Sequence, residues 1–157
     1  MVERHTHNGI DSSRVDYRNL EFRPTFEIVK SIDGTAAATA GNYGVVWNVD
    51  KPCQLIEIRY SHQTAGTDAG AVTLDVEKLT GTQALDAGVV MGSTTHNLKS
   101  TINTVVTVTP TTTVVNSVLA TGDRVALKDS GTLTAVAGVC ATLVFRQVFG
   151  VGLRGTY

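Results

Sequence analysis

The sequence predicts an all-β protein, an antiparallel β-sandwich built from about eight short strands. Three observations support this fold class. Apolar residues in the body of the chain recur with a period of two, turn-forming residues separate the apolar runs, and no segment has the pattern of a long amphipathic helix. The 157 residues are enough for one domain with a sizeable core, but a second independent core is not expected.

The predicted strands follow one another at regular spacing. They lie at residues 25–32, 45–49, 54–60, 72–77, 104–108, 113–119, 123–128 and 139–148. Residues that tolerate turns lie between them, at positions 34, 41–42, 65–68, 80–82, 121–123 and 130–132. This number of short strands is typical of a jelly-roll-type sandwich.

The strand at residues 54–60 illustrates the pattern. Ile56, Ile58 and Tyr60 are expected to face the core, and the charged residues between them are expected to face water. In the strand before it, Trp47 is expected to be a core residue, because a single Trp in a small sandwich is usually buried.

Composition limits the function. Charged residues make up only 17% of the chain and the net charge is −1, without a cluster of Lys or Arg, so nucleic-acid binding is not expected. No apolar run is long enough to cross a bilayer and residues 1–20 are polar, so we expect synthesis in a cytoplasm and no membrane partner. Cys53 and Cys140 are interpreted as small buried hydrophobic residues, with a disulfide as the less favoured alternative.

The chain divides into three parts. Residues 1–22 are too poor in apolar side chains to form a core and are predicted to be an anchoring arm that becomes ordered on a partner. Residues 23–148 form the predicted sandwich, and residues 149–157 are a Gly-rich tail. Within the arm, His5 and His7 project to the same side of an extended chain.

The arm sequence, HTHNGIDSSRVDYRNL at residues 5–20, resembles an anchoring motif of tailed-bacteriophage tail fibres, head fibres and related virion proteins. That motif has the pattern H-x-H-(N/D)-G-x-D-S-x-(R/K)-(V/I), followed by a Tyr and a Leu. The residues that match it, and that the resemblance implies dock onto the particle, are His5, His7, Asn8, Gly9, Asp11, Ser12, Arg14, Val15, Tyr17 and Leu20.

A second resemblance lies in the body of the chain. Residues 79–88, 97–99, 119–127 and 131–134 resemble a jelly-roll module of phage capsid-decoration and head-fibre proteins. Together the two resemblances imply a non-enzymatic, homotrimeric structural protein on the virion surface. Its arm would dock on the major capsid protein or another virion protein, and the motifs leave open whether the location is head or tail.

The resemblance also implies a possible metal site, although no other cofactor is expected. Phage fibres with axial H-x-H pairs hold a metal ion, and a trimer would bring His5 and His7 of three chains around one axis as six nitrogen ligands for a divalent transition metal. The alternative is that both His side chains are exposed or hydrogen-bonded to capsid groups.

A receptor-binding tail-fibre or baseplate module that recognises host glycan remains an alternative, with Trp47 and Tyr43 as sugar-stacking residues if they were exposed.

An enzyme is not expected, because the chain lacks G-x-S-x-G and the H-x-H pair lacks the downstream Glu of cupins. Asp75 and Glu77 are expected on the solvated face of the strand 72–77, where burial would not shift a carboxyl pKa. His62 and His96 are likewise expected at the surface.

Overall fold

The computed structural model describes residues 24–35 and 43–148. In chain order, these residues form β1 (Thr25–Thr35), β2 (Gly44–Asn48), β3 (Cys53–Ser61), β4 (Thr73–Leu79), β5 (Val89–Val90), β6 (His96–Asn97), β7 (Val106–Val108), α1 (Val114–Ser117), β8 (Val118–Leu119), β9 (Arg124–Ser130) and β10 (Ala137–Gln147). The prediction of an all-β protein is confirmed. The arm at residues 1–22 and the tail at 149–157 lie outside the described residues.

The strands form two antiparallel sheets that pack into a sandwich. The first sheet has the order β1-β10-β3-β7, and β8 also pairs with β3. The second has the order β2-β9-β4-β5, and β6 also pairs with β4. The pairing is nested, because β1 pairs with β10, β2 with β9, β3 with β7 and β4 with β5. An antiparallel ribbon folded in this nested way is a jelly roll, as predicted.

The core lies between the sheets, and an aromatic cluster fills one part of it. Phe145 is completely buried and is flanked by Phe26 and Trp47, with ring centroids 5.5 and 5.1 Å away. Phe26 and Trp47 meet edge to face at 5.5 Å, a favourable aromatic geometry. Trp47 is therefore a half-buried core residue, and its expected packing role is confirmed.

A β-bulge changes the side-chain pattern of β3. Glu57 lies opposite Val144 but Leu55 lies opposite Phe145, so Ile56 is an extra residue on its strand. Leu55 is consequently buried and Ile56 only half-buried. The prediction that Ile56 faces the core was wrong, because the bulge shifts the alternation by one residue; Ile58 and Tyr60, beyond the bulge, are buried as expected.

The predicted solvated face of β4 is covered. Asp75 is 8% exposed and Glu77 is 0% exposed, which contradicts the expectation that both face water. The two carboxylates do point away from the core, but residues 80–88 fold over Glu77. Glu77 accepts hydrogen bonds from the backbone N–H groups of Asp86 and Gly88 at 2.8 and 3.0 Å. Burial also raises the pKa of the Asp75 carboxyl, partly offset by Lys128, so the expected absence of a pKa shift was wrong as well.

The segment predicted as a strand at residues 113–119 is mainly a helical turn. Val114–Ser117 form α1, and only Val118–Leu119 pair with β3. The buried Lys78 holds this turn, because its Nζ donates to the backbone oxygens of Val115 and Val118 at 2.7 and 3.1 Å. Within the described residues, no helix is long and apolar enough to span a membrane.

Candidate functional site

The predicted docking and metal-ligating residues, from His5 to Leu20, all lie outside the described residues. What the structure shows is the end of the sandwich at which the described residues begin and finish. The backbone N–H of Gln147 donates to the oxygen of Pro24 at 3.1 Å, and that of Val148 donates to the oxygen of Pro52 at 3.1 Å. The first sandwich residue, Pro24, and the last, Val148, thus lie at the same end, which we call the arm end.

The arm end also carries exposed apolar side chains. Val114 and Val115 of α1 are 62% and 68% exposed. Lys78 fixes their turn from one side, and from the other Gln54 Nε2 donates to Ser117 Oγ at 3.4 Å. Two adjacent exposed Val residues on an anchored turn form a surface suited to contact with another protein.

The opposite end of the first sheet, which we call the loop end, contains a polar groove of about 310 Å³. Its floor is a row of small side chains in register across three strands, Ser31 of β1, Cys140 of β10 and Ser61 of β3. Cys140 alternates with the buried Val139 and Ala141, so this row faces outward from the core. No sequence pattern predicts this groove, because its floor comes from residues distant along the chain.

The two His residues expected at the surface are buried. His62 and His96 are 1% and 2% exposed, and His62 Nδ1 lies 3.3 Å from His96 Nε2, within hydrogen-bond distance. The His96 ring also stacks on Tyr60, with centroids 4.9 Å apart. Burial, together with the neighbouring His62, lowers the pKa of His96 to about 4. His62 follows β3 and His96 begins β6, so this pair joins an end of the first sheet to the edge of the second.

Both cysteines are free thiols. Cys53 is buried as predicted, and burial raises the pKa of its thiol to about 11, which keeps it protonated. Cys140 is only half-buried, because it lies on the floor of the groove. The described residues contain no cluster of three or more His, Cys, Asp or Glu side chains arranged to hold a metal ion.

No protein-family model matches the chain, and no curated protein matches it significantly. Solved structures do match its fold. A chain in the capsid asymmetric unit of Cyanophage Pam1 is 12% identical, with a TM-score of 0.50, over 80% of this chain and 84% of that chain. A chain in the capsid of Ralstonia phage GP4 is 13% identical, with a TM-score of 0.55, over 82% of this chain and 86% of that chain. At these identities the likeness shows the fold.

A third match is too dissimilar in structure to indicate a shared fold. A chain from a structure of Bacillus endospore appendages, described as a family of disulfide-linked pili, is 17% identical over 82% of this chain and 92% of that chain, but its TM-score is only 0.37.

Proposed function

We propose that the chain is a non-enzymatic structural protein of a bacteriophage virion, a homotrimeric capsid-decoration or head-fibre protein at the particle surface. The observation that carries this proposal is the jelly-roll fold, which resembles chains of two phage capsids over 80% and 82% of the sequence. The anchoring motif at residues 5–20 supports the same conclusion independently of the fold.

The arm end supports docking through residues 1–22. Pro24, which follows the arm in sequence, lies at the same end of the sandwich as the exposed Val114 and Val115. An arm that becomes ordered on a virion protein would bring this apolar surface toward that protein. The loop end would then project away from the particle. Ser31 lies six residues beyond Thr25 in β1, which corresponds to about 20 Å at the usual rise of a strand.

In this proposal, trimer formation increases the affinity with which the arms bind the particle. Three arms held by one rigid body bind with a much higher effective concentration than one arm alone. A short polar segment can therefore anchor the protein firmly without a large apolar interface on each arm.

Deleting residues 1–22 tests the proposal. By light scattering, the full chain should have three times its chain mass of 16.6 kDa, and the truncated chain should have three times its own, smaller chain mass. In co-sedimentation with virions that lack the protein, only the full chain should pellet with the particles. A monomeric full chain, or a truncated chain that binds as well as the full chain, would contradict it.

Whether His5 and His7 bind a metal ion requires a separate measurement, since both residues lie outside the described residues. If the trimer axis binds a divalent transition metal, mass spectrometry should find one ion per trimer, and His5→Ala with His7→Ala should remove it. Equal trimer stability with and without a chelator, and no bound metal, would instead support His side chains that bond capsid groups.

A further inference from the structure

We propose that the groove at the loop end binds a single neutral saccharide unit, so that this face of the protein recognises carbohydrate. This goes beyond the proposed structural role, because the groove belongs to the sandwich and not to the arm. The groove's floor, its walls and the chemistry of its lining each favour such a ligand.

The floor provides the space. Ser31, Cys140 and Ser61 lie side by side in the β1, β10 and β3 registers, and all three side chains are small. In the next outward-facing row of the same sheet, Thr142 and Arg59 are larger. The small row therefore leaves a depression of about 310 Å³, near the lower limit of small-molecule sites, a size that favours one sugar ring over an extended chain.

Irregular backbone builds the walls. The pairing of β1 with β10 is interrupted between Ile32 and Thr35, opposite Gly138, which has a φ of +60°. A Cβ at Gly138 would lie 2.4 Å from Gln63 Cδ, so only Gly permits the Gln63 side chain to pack there. Bulges of this kind are frequent beside binding sites, where they redirect side chains.

A second lining residue, Asn103, is held in an unusual backbone conformation. Asn103 has a φ of +56°, a left-handed backbone that is uncommon for a residue other than Gly. Its N–H donates to the oxygen of His62 at 2.8 Å, and the buried His62–His96 contact fixes that residue in turn. Asn103 lines the groove, so this lining residue is supplied by a loop whose backbone the fold supports.

The chemistry of the lining suits hydroxyl groups. Asp33 supplies a carboxylate acceptor, and Gln63 and Asn103 supply amides that donate and accept. The Asp33 carboxylate already accepts from the Ser31 hydroxyl at 3.2 Å, which orients both groups. The lining residues include no Lys or Arg, so an anion meets no permanently charged cation there, and Val105 supplies the one branched aliphatic side chain. Neighbouring hydroxyls, which each donate and accept, match this set.

Saturation-transfer difference NMR on the full chain tests the inference. The probes are a panel of free monosaccharides comprising neutral hexoses, 6-deoxyhexoses and N-acetylhexosamines, with a hexuronate as the anionic comparison. Each is titrated to about 50 mM, since contacts of this number give millimolar dissociation constants. We expect saturable binding of at least one neutral sugar and weaker binding of the hexuronate.

Two variants locate the site. Ser31→Ile fills the floor, and Asn103→Gly removes the amide while keeping the left-handed backbone. Each should weaken sugar binding about tenfold or more, equivalent to about 1.4 kcal/mol. Thr25→Ile is the matched control, because it makes a similar change on the same face of β1 at the arm end and should bind like the wild type.

The outcomes separate this inference from the proposed virion role. If no panel member binds the wild type, or if Ser31→Ile and Asn103→Gly leave the binding unchanged, the groove is not a saccharide site. In either case particle binding through residues 1–22 should persist, since Ser31 lies away from the arm end. Conversely, the truncated chain that loses particle binding should keep its sugar affinity.

Discussion

The two sheets of the sandwich differ in what covers their outer faces. On the second sheet, residues 80–88 fold across β4 and β9, and Lys128 of β9 reaches the covering segment in an ion pair with Asp86 at 2.7 Å. Arg124 also donates to the backbone oxygens of Gly81 and Gln83. Beneath this cover lie the buried Glu77 and Ala126. The outer face of this sheet is thus a second, smaller buried layer.

The outer face of the first sheet is open. Arg59 of β3 lies between Glu57 on its own strand and Glu27 on β1, and all three side chains are 35–49% exposed. Val29, on the same face, is 59% exposed. The same alternation of apolar and charged residues therefore places charged side chains in different environments on the two sheets. A charged residue under a covering segment stabilises the fold, whereas one on an open face mainly contacts water.

The largest effect is expected for Glu77→Gln. The carboxylate accepts from two backbone N–H groups in a buried site, and the amide would keep one acceptor while turning a donor toward the other N–H. We expect a loss of about 3 kcal/mol in the free energy of unfolding, measured by urea denaturation. A loss below about 1 kcal/mol would show that residues 80–88 do not hold this carboxylate in solution.

Sequence patterns predicted the strands that pair along their whole length. The segments at 25–32, 54–60, 123–128 and 139–148 each lie within a long strand or extend beyond it by one residue, and nested pairing of such strands produces the jelly roll. Local patterns determine these elements because an alternating strand needs only one apolar surface to pack on. The two-residue strands β5 and β6 were missed, since they are too short to show a period.

The errors in the prediction share one physical cause. Burial of Glu77 depends on a segment that returns over the sheet, and burial of His62 depends on His96, which is 34 residues away in the chain. The inward position of Leu55 depends on a bulge opposite β10. The burial of each of these residues is set by tertiary packing, about which the pattern of a single strand carries no information. The groove was missed for the same reason, because its floor combines three strands.

A pH dependence tests the contact that joins the two sheets. The folded-state pKa of His96 lies at about 4, below its ordinary 6.5, so folding favours the neutral ring. The stabilisation is complete above about pH 6.5 and is lost as the pH falls toward 4. Between pH 7 and pH 5 the free energy of unfolding should fall by about 2 kcal/mol from this group.

His96→Gln is the control for this prediction. It removes the titrating ring but keeps Asp75, whose raised pKa acts in the opposite direction and favours the folded state as the pH falls. The variant should therefore lose the steep part of the profile between pH 7 and pH 5. If urea midpoints of the wild type and the variant run parallel across this range, His96 does not titrate as its burial implies.

A smaller effect on stability, but a clear one on binding, is expected at the arm end. Val114→Ser and Val115→Ser change side chains that are more than 60% exposed, so the free energy of unfolding should change by about 0.5 kcal/mol or less. If the arm end faces the particle, the double variant should need a higher protein concentration to saturate virions. Val29→Ser, an equally exposed Val on the open face, is the matched control and should bind like the wild type.

The smallest effect is expected for Glu57→Gln, the counterpart of Glu77→Gln on the open sheet. Glu57 is paired with Arg59, but both side chains remain more than a third exposed, and water compensates for a lost surface ion pair. The urea midpoint should stay within experimental error of the wild type, and the remaining pairing of Arg59 with Glu27 should preserve the local structure. A loss as large as that for Glu77→Gln would mean that another molecule covers this face too, for example a second chain of the trimer.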